Sequence, residues 1–135
     1  MAGIGTELTL HKLIYKPGEP IRMEVGASNF GGQPITLHFI SGQRYDFIIK
    51  DQSGKAVYQW SADKMFTMAL GSVKLEGVRK SLTYRETFKG KLAPGRYTLT
   101  GKITSRDYPM EASLTILVTL TGKPDDQPAE VIPIK

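Results

Sequence analysis

A serine with a lysine three residues on, two histidines and one inward-phased glutamate are the side chains of this chain that could support chemistry. Ser61-Ala62-Asp63-Lys64 has the Ser-x-x-Lys spacing of some acyl-transfer enzymes, in which a helical turn brings the lysine over the serine hydroxyl. The companion motifs of that chemistry are missing, and no helix is expected around it. His11 and His38 fall opposite in phase to Leu10 and Leu37, on the outward faces of strands. Without cysteine or paired acids at ligand spacing they imply no metal site. Glu86 shares the phase of Leu82 and Tyr84, so its carboxylate points inward and calls for a partner such as Arg44 or Arg85. That arrangement reads as a structural ion pair rather than a general base. Every glycine can be assigned to a turn or a strand end, which leaves no loop to cradle a phosphate. These residues imply neither an enzyme nor a cofactor.

The elements that carry these side chains follow from length and patterning. At 135 residues the chain suits one domain, able to bury roughly two thirds of its unfolded surface. It has no cysteine, so packing and strand pairing must do what disulfides do elsewhere. The formal net charge is +5, but Lys12, Lys16, Lys50, Lys55, Lys64, Lys74, Lys89 and Lys102 are scattered along the sequence. Nucleic acid recognition needs basic groups gathered on one surface, and none is expected here. Residues 1–7 lack the basic and apolar regions of a secretory signal, and no run approaches the ~20 apolar residues of a membrane span. The expected location is the cytoplasm, with no membrane partner. A secreted domain freed of its signal would read the same.

Apolar residues repeat every second position in short runs closed by turn residues, the mark of strands. Strands are expected at 8–14, at 21–27 with Ile21, Met23, Val25 and Ala27 inward, and at 35–39 with Ile35, Leu37 and Phe39. Others follow at 45–50 with Tyr45, Phe47 and Ile49, at 57–60 as a hairpin partner, at 80–88, at 97–103 and at 112–120. An irregular stretch, 61–72, forms the longest gap. Pro94-Gly95 supplies turn chemistry before Tyr97, a position resembling the corner tyrosine of immunoglobulin-like sandwiches, whose hydroxyl bonds back to the upstream backbone. The fold expected is an all-β, immunoglobulin-like antiparallel Greek-key sandwich of seven to nine strands over residues 1–121. A polar, proline-broken tail, 122–135, is expected to be flexible.

The middle of the chain resembles a known family. Ser41-Gly42-Gln43-Arg44-Tyr45-Asp46-Phe47, Val57-Tyr58-Gln59-Trp60-Ser61, Lys64-Met65-Phe66-Thr67, Ala69-Leu70-Gly71, Leu82-Thr83-Tyr84 and Pro94-Gly95-x-Tyr97 are together similar to the BsuPI family of bacterial intracellular proteinase inhibitors. The likeness covers roughly residues 8–103. It departs at Glu76-Gly77-Val78-Arg79-Lys80, where a Pro-Gly turn is expected. The resemblance implies an immunoglobulin-like sandwich that inhibits a cytoplasmic subtilisin-type serine protease, with no reactive residue to carry over.

An inhibitor that mimics substrate must offer an extended, rigid loop. Residues 61–72 carry Met65, Phe66, Met68 and Leu70, more apolar surface than a solvated loop usually shows, so Met65, Phe66, Thr67, Met68, Ala69 and Leu70 form the first candidate protease-binding loop. Subtilisin-type proteases favour large apolar side chains just before the cut and three residues upstream, the spacing of Met68 and Met65. The alternative is that Phe66 and Leu70 plug the core beside Trp60. A second candidate loop carries Arg106, Tyr108 and Met110, side-chain types common at interfaces, although an ordinary hairpin would look alike. The protein partner expected is therefore a subtilisin-type serine protease bound by a monomer. The other functional class is a non-inhibitory immunoglobulin-like interaction or adhesion module pairing through an edge strand.

Overall fold

The period-two runs become strands in the computed structural model, which describes residues 3–77 and 80–123. In chain order they are β1 (Ile4–Leu10), β2 (Ile14–Tyr15), β3 (Ile21–Asn29), β4 (Ile35–Phe39), β5 (Tyr45–Lys50), β6 (Ala56–Gln59), β7 (Gly71–Leu75), β8 (Lys80–Phe88), β9 (Gly95–Ile103) and β10 (Met110–Val118). The only helical piece among the described residues is a 3-10 turn, Trp60–Asp63. One sheet has the order β1-β3-β8, a second β2-β10-β9-β5-β6, and β4 pairs with β7 in a short third ladder. The protein is thus an all-β sandwich. Among the described residues there are ten strands where seven to nine are expected, the additions being β2 and β7.

Alternation decides the core. On β3 the residues Ile21, Met23, Val25 and Ala27 are buried, and they meet Leu37 and Phe39 of β4, Phe47 and Ile49 of β5, and Leu99 and Ile103 of β9 in one cluster. Each of the larger of these side chains contributes about 1.5–3 kcal/mol relative to its exposed state. The first two sheets lie close together at Gly101, where an added Cβ would come within 2.9 Å of Val25 Cβ and 3.1 Å of Leu8 Cδ1. A side chain there has no room. At the other end of β9, the Tyr97 hydroxyl donates to the Ala93 carbonyl at 2.7 Å, the corner bond expected from the sequence.

Three expectations need correction. The strand expected at 8–14 is two strands: β1 ends at Leu10, and β2 crosses to the other sheet to run parallel to β10, with Ile14 opposite Leu117. His11 consequently lies in the bend between them, exposed and off any strand. The crossing buries Tyr15 and satisfies the backbone through Leu117 N to Leu13 O and Thr119 N to Tyr15 O, both 2.9 Å. The last two residues of the irregular stretch, Gly71 and Ser72, belong to β7, where pairing with β4 overrides weak local propensity. Where a Pro-Gly turn was expected, Gly77 takes φ +125° and its carbonyl accepts from Lys80 N at 3.0 Å. Glycine is suited to that conformation. The expected tail lies outside the described residues from 124 onward.

Candidate functional site

The connection between β4 and β5, residues 40–44, links both candidate loops at one end of the sandwich. Gly42 N donates to Thr67 O at 2.8 Å on one side. On the other, Thr104 N donates to Arg44 O at 3.1 Å, Thr104 Oγ1 to Gln43 O at 2.9 Å and Arg106 N to His38 O at 2.7 Å.

Residues 61–70 leave β6 through the 3-10 turn and join β7 at Gly71, and both junctions are gripped by side chains of the 41–47 motif. Neighbouring strand residues point to opposite faces, so Tyr45 and Asp46 hold the chain from two sides. The Tyr45 ring stacks on Trp60 at 4.4 Å between centroids and on Tyr84 at 4.6 Å. Asp46 is buried and accepts from Ser61 N at 3.0 Å, Ser61 Oγ at 2.6 Å, Gln59 Nε2 at 2.8 Å and its neighbour Phe47 N at 2.9 Å. At the far junction Arg44 lies across Gly71, where a Cβ would fall 2.6 Å from Nη2, and its guanidinium stands 4.7 Å from the centre of the Phe39 ring. Gly42 likewise permits the approach of Thr67, whose Oγ1 would sit 2.7 Å from a Cβ there.

Between these anchors the chain runs without a turn or bend from residue 64 to 70. Met65 is 98% exposed, Met68 82% and Leu70 77%. Thr67 and Ala69 are also exposed, whereas Phe66 turns back, half buried, with its ring 5.8 Å from Trp60. So Phe66 packs beside Trp60 and Leu70 does not plug the core. Ile40, 56% exposed, follows directly on the Phe39 to Gly71 pair that ends the β4–β7 ladder. The sequence reading passed over it. Its signal was an apolar residue continuing past Phe39 out of phase, just before Ser41-Gly42.

In the second candidate loop Arg106 is exposed, while Tyr108 and Met110 pack against the core. Asp107 organises the turn: it accepts from Ser105 Oγ at 2.6 Å and from His38 N at 3.0 Å, and pairs with His38 Nδ1 at 2.6 Å. His38 does face outward, as expected.

The remaining chemical candidates are engaged otherwise. Ser61 gives its hydroxyl proton to Asp46, and Lys64 lies over the Trp60 ring at 5.0 Å, beside Asp63, so no serine–lysine pair is assembled. Glu86 is half buried, but its partner is the Tyr45 hydroxyl and neither arginine; Arg85 Nε pairs with Glu24 at 2.7 Å across the strands. Strand register puts Glu24 opposite Arg85, which explains the choice. Burial, then the Glu86 carboxylate, pushes the Tyr45 hydroxyl above its ordinary range. Among the described residues no three His, Asp or Glu gather at metal-binding distance, and no helix is long and apolar enough to cross a membrane.

Comparison with known proteins adds the family. No curated protein matches the sequence. Among solved structures, the sporulation control protein Spo0M of Bacillus subtilis superposes with a TM-score of 0.55 at 13% identity, over 87% of this chain and 50% of that one. The C-terminal domain of Wzt gives 0.55 at 11% identity, over 88% and 75%. The alkylpurine DNA glycosylase AlkC of Pseudomonas fluorescens gives 0.51 at 15% identity, over 87% and 31%. The chain therefore spans half of Spo0M and under a third of AlkC, and at such identities the likeness concerns the fold alone. A family model described as intracellular proteinase inhibitor matches residues 8–108, a span that takes in the 41–47 motif, the gripped 61–70 segment and the Tyr97 corner. The chain belongs to the BsuPI family of intracellular proteinase inhibitors.

Proposed function

We propose that the chain inhibits a subtilisin-type serine protease by laying residues 65–70 into the substrate cleft as a prefixed, extended segment. The observation that carries this reading is the pairing of extreme exposure with firm anchorage: Met65 and Met68 stand in solvent on a backbone pinned at Thr67 by Gly42. Large apolar side chains held in water favour a partner that covers them, and methionine adapts to irregular pockets. A backbone already ordered loses little entropy on binding, which favours tight and slowly released complexes. Met68 would occupy the pocket before the scissile bond and Met65 the pocket three residues upstream. Leu70, two residues past Met68 and also exposed, would extend the contact past the cut.

The test is titration of a subtilisin-type protease with wild type and with Met68→Asp. The wild type is expected to remove activity stoichiometrically while staying intact. Because Met68 is almost fully exposed, the variant should fold normally, and its inhibition should weaken by roughly 30-fold or more, about 2 kcal/mol. Full inhibition by a folded Met68→Asp protein would remove this segment from consideration. Prompt digestion of the wild type would instead favour the non-inhibitory interaction module.

A further inference from the structure

We infer that Asp46 is the positioning residue that keeps the 61–70 segment an inhibitor rather than a substrate, an inference that rests on that segment being the protease-contacting loop. Proteases cut chains that can adapt to the cleft and then leave it; a segment held on both sides of the scissile bond does neither readily. Downstream, the hold is the β4–β7 ladder, which begins at Gly71. Upstream there is no strand after Gln59: Gly42 N holds Thr67 O and Lys64 N closes the 3-10 turn on Ser61 O, and the rest of the hold comes from side chains.

Asp46 supplies the strongest of these. One buried carboxylate takes both the amide and the hydroxyl of Ser61, together with the side-chain amide of Gln59, and so fixes the last residue of β6 and the start of the loop together. Hydrogen bonds to a charged acceptor are about twice as strong as neutral ones. Ser61 fixed in this way sets the 3-10 turn, which sets Trp60 on Tyr45 and Phe66 against Trp60. Neither Ser61 nor Asp46 needs to touch the protease. The effect passes through backbone geometry at Met65 to Met68.

The experiment compares wild type, Asp46→Ala, Asp46→Asn and Ser61→Ala, with Val118→Ala as a variant destabilised in the core away from the grip: Val118 is buried on β10 opposite Gly95, whereas Asp46 pairs with Lys102 at the other end of β9. Inhibition constants against a subtilisin-type protease are measured with the rate and position of cleavage by mass spectrometry, at a temperature where circular dichroism shows each variant folded. Asp46→Ala is expected to inhibit on the order of 100-fold less well, the scale of a small misplacement of reacting groups, and to be cut within residues 61–70. Asp46→Asn retains an acceptor for Ser61 N and should fall between the two. Val118→Ala should remain an intact inhibitor despite its lower stability. Should Asp46→Ala not fold, Asp46→Asn and Ser61→Ala decide the matter, with faster cleavage in the same segment expected of both. The inference is overturned if the folded Asp46 and Ser61 variants inhibit like wild type and stay whole, or if Val118→Ala is cut in the same segment just as fast. Inhibition that survives Met68→Asp would overturn the loop reading itself, whatever the Asp46 variants do.

Discussion

Asp107 and Asp46 are two carboxylates at the same end of the sandwich, each holding a loop through hydrogen bonds to serine and backbone. Partial desolvation raises the Asp107 carboxyl, but the bonds from His38 and Ser105 outweigh it and hold the group well below the usual carboxylate range. A carboxylate depressed in the folded state adds stability above its unfolded pKa of about 3.9, and that contribution is lost as pH falls below that value toward the folded pKa. Asp107→Asn should therefore be less stable than wild type at neutral pH and lose less on acidification, with melting curves converging below about pH 4. The difference should be modest, because the pair is exposed to solvent. Parallel melting curves down to pH 2 would show that Asp107 adds nothing beyond its neutral isostere. The outward phase of His38 could be read from its neighbours, but its partner is 69 positions away, and Tyr45, the partner of Glu86, is 41 away. No local pattern encodes such pairs.

Strands with a largely apolar face were legible, whereas β2 and β7 were not. β3, β4 and β9 alternate cleanly because each has a face in the core. In β7 only Leu75 is buried, so its Gly-Ser-Val-Lys-Leu gave little to read, and pairing with β4 made it a strand. β2 is two residues long and exists because β10, a hundred positions later, accepts it. Gly101 belongs to this scale: a strand glycine usually weakens its strand, yet here it is the point where two sheets meet. Gly101→Ala improves local propensity but puts a Cβ within 2.9 Å of Val25, and it is expected to destabilise the protein by about 1–3 kcal/mol in denaturant titration. A neutral or stabilising result would mean that the sheets can separate freely at that point.

Taken whole, the molecule is closed by pairings between distant parts of the chain: β2 with β10, β3 with β8, and β5 with β9. Such topologies fold slowly, since loops must close before distant strands stabilise one another. Refolding followed by the single tryptophan, Trp60, is expected in milliseconds to seconds, and microsecond refolding would contradict a transition state built on these long-range ladders. The same residue stacks on Tyr45 beside the loop, so its signal also reports whether the 3-10 turn is seated.

Period-two alternation and the lack of cysteine were enough to establish an all-β domain held by packing, because burial on one face of a strand writes itself directly into neighbouring residues. They were also enough to single out residues 61–72 as an apolar gap. What tertiary structure alone decided is which gap residues face solvent and what holds them: Met65 and Met68 outward, Phe66 inward, Ser61 on Asp46 and Thr67 on Gly42. Those contacts join segments 15 to 25 positions apart through Asp46 and Gly42. They depend on where β5 and the connection before it are placed, and no pattern within the loop could announce them.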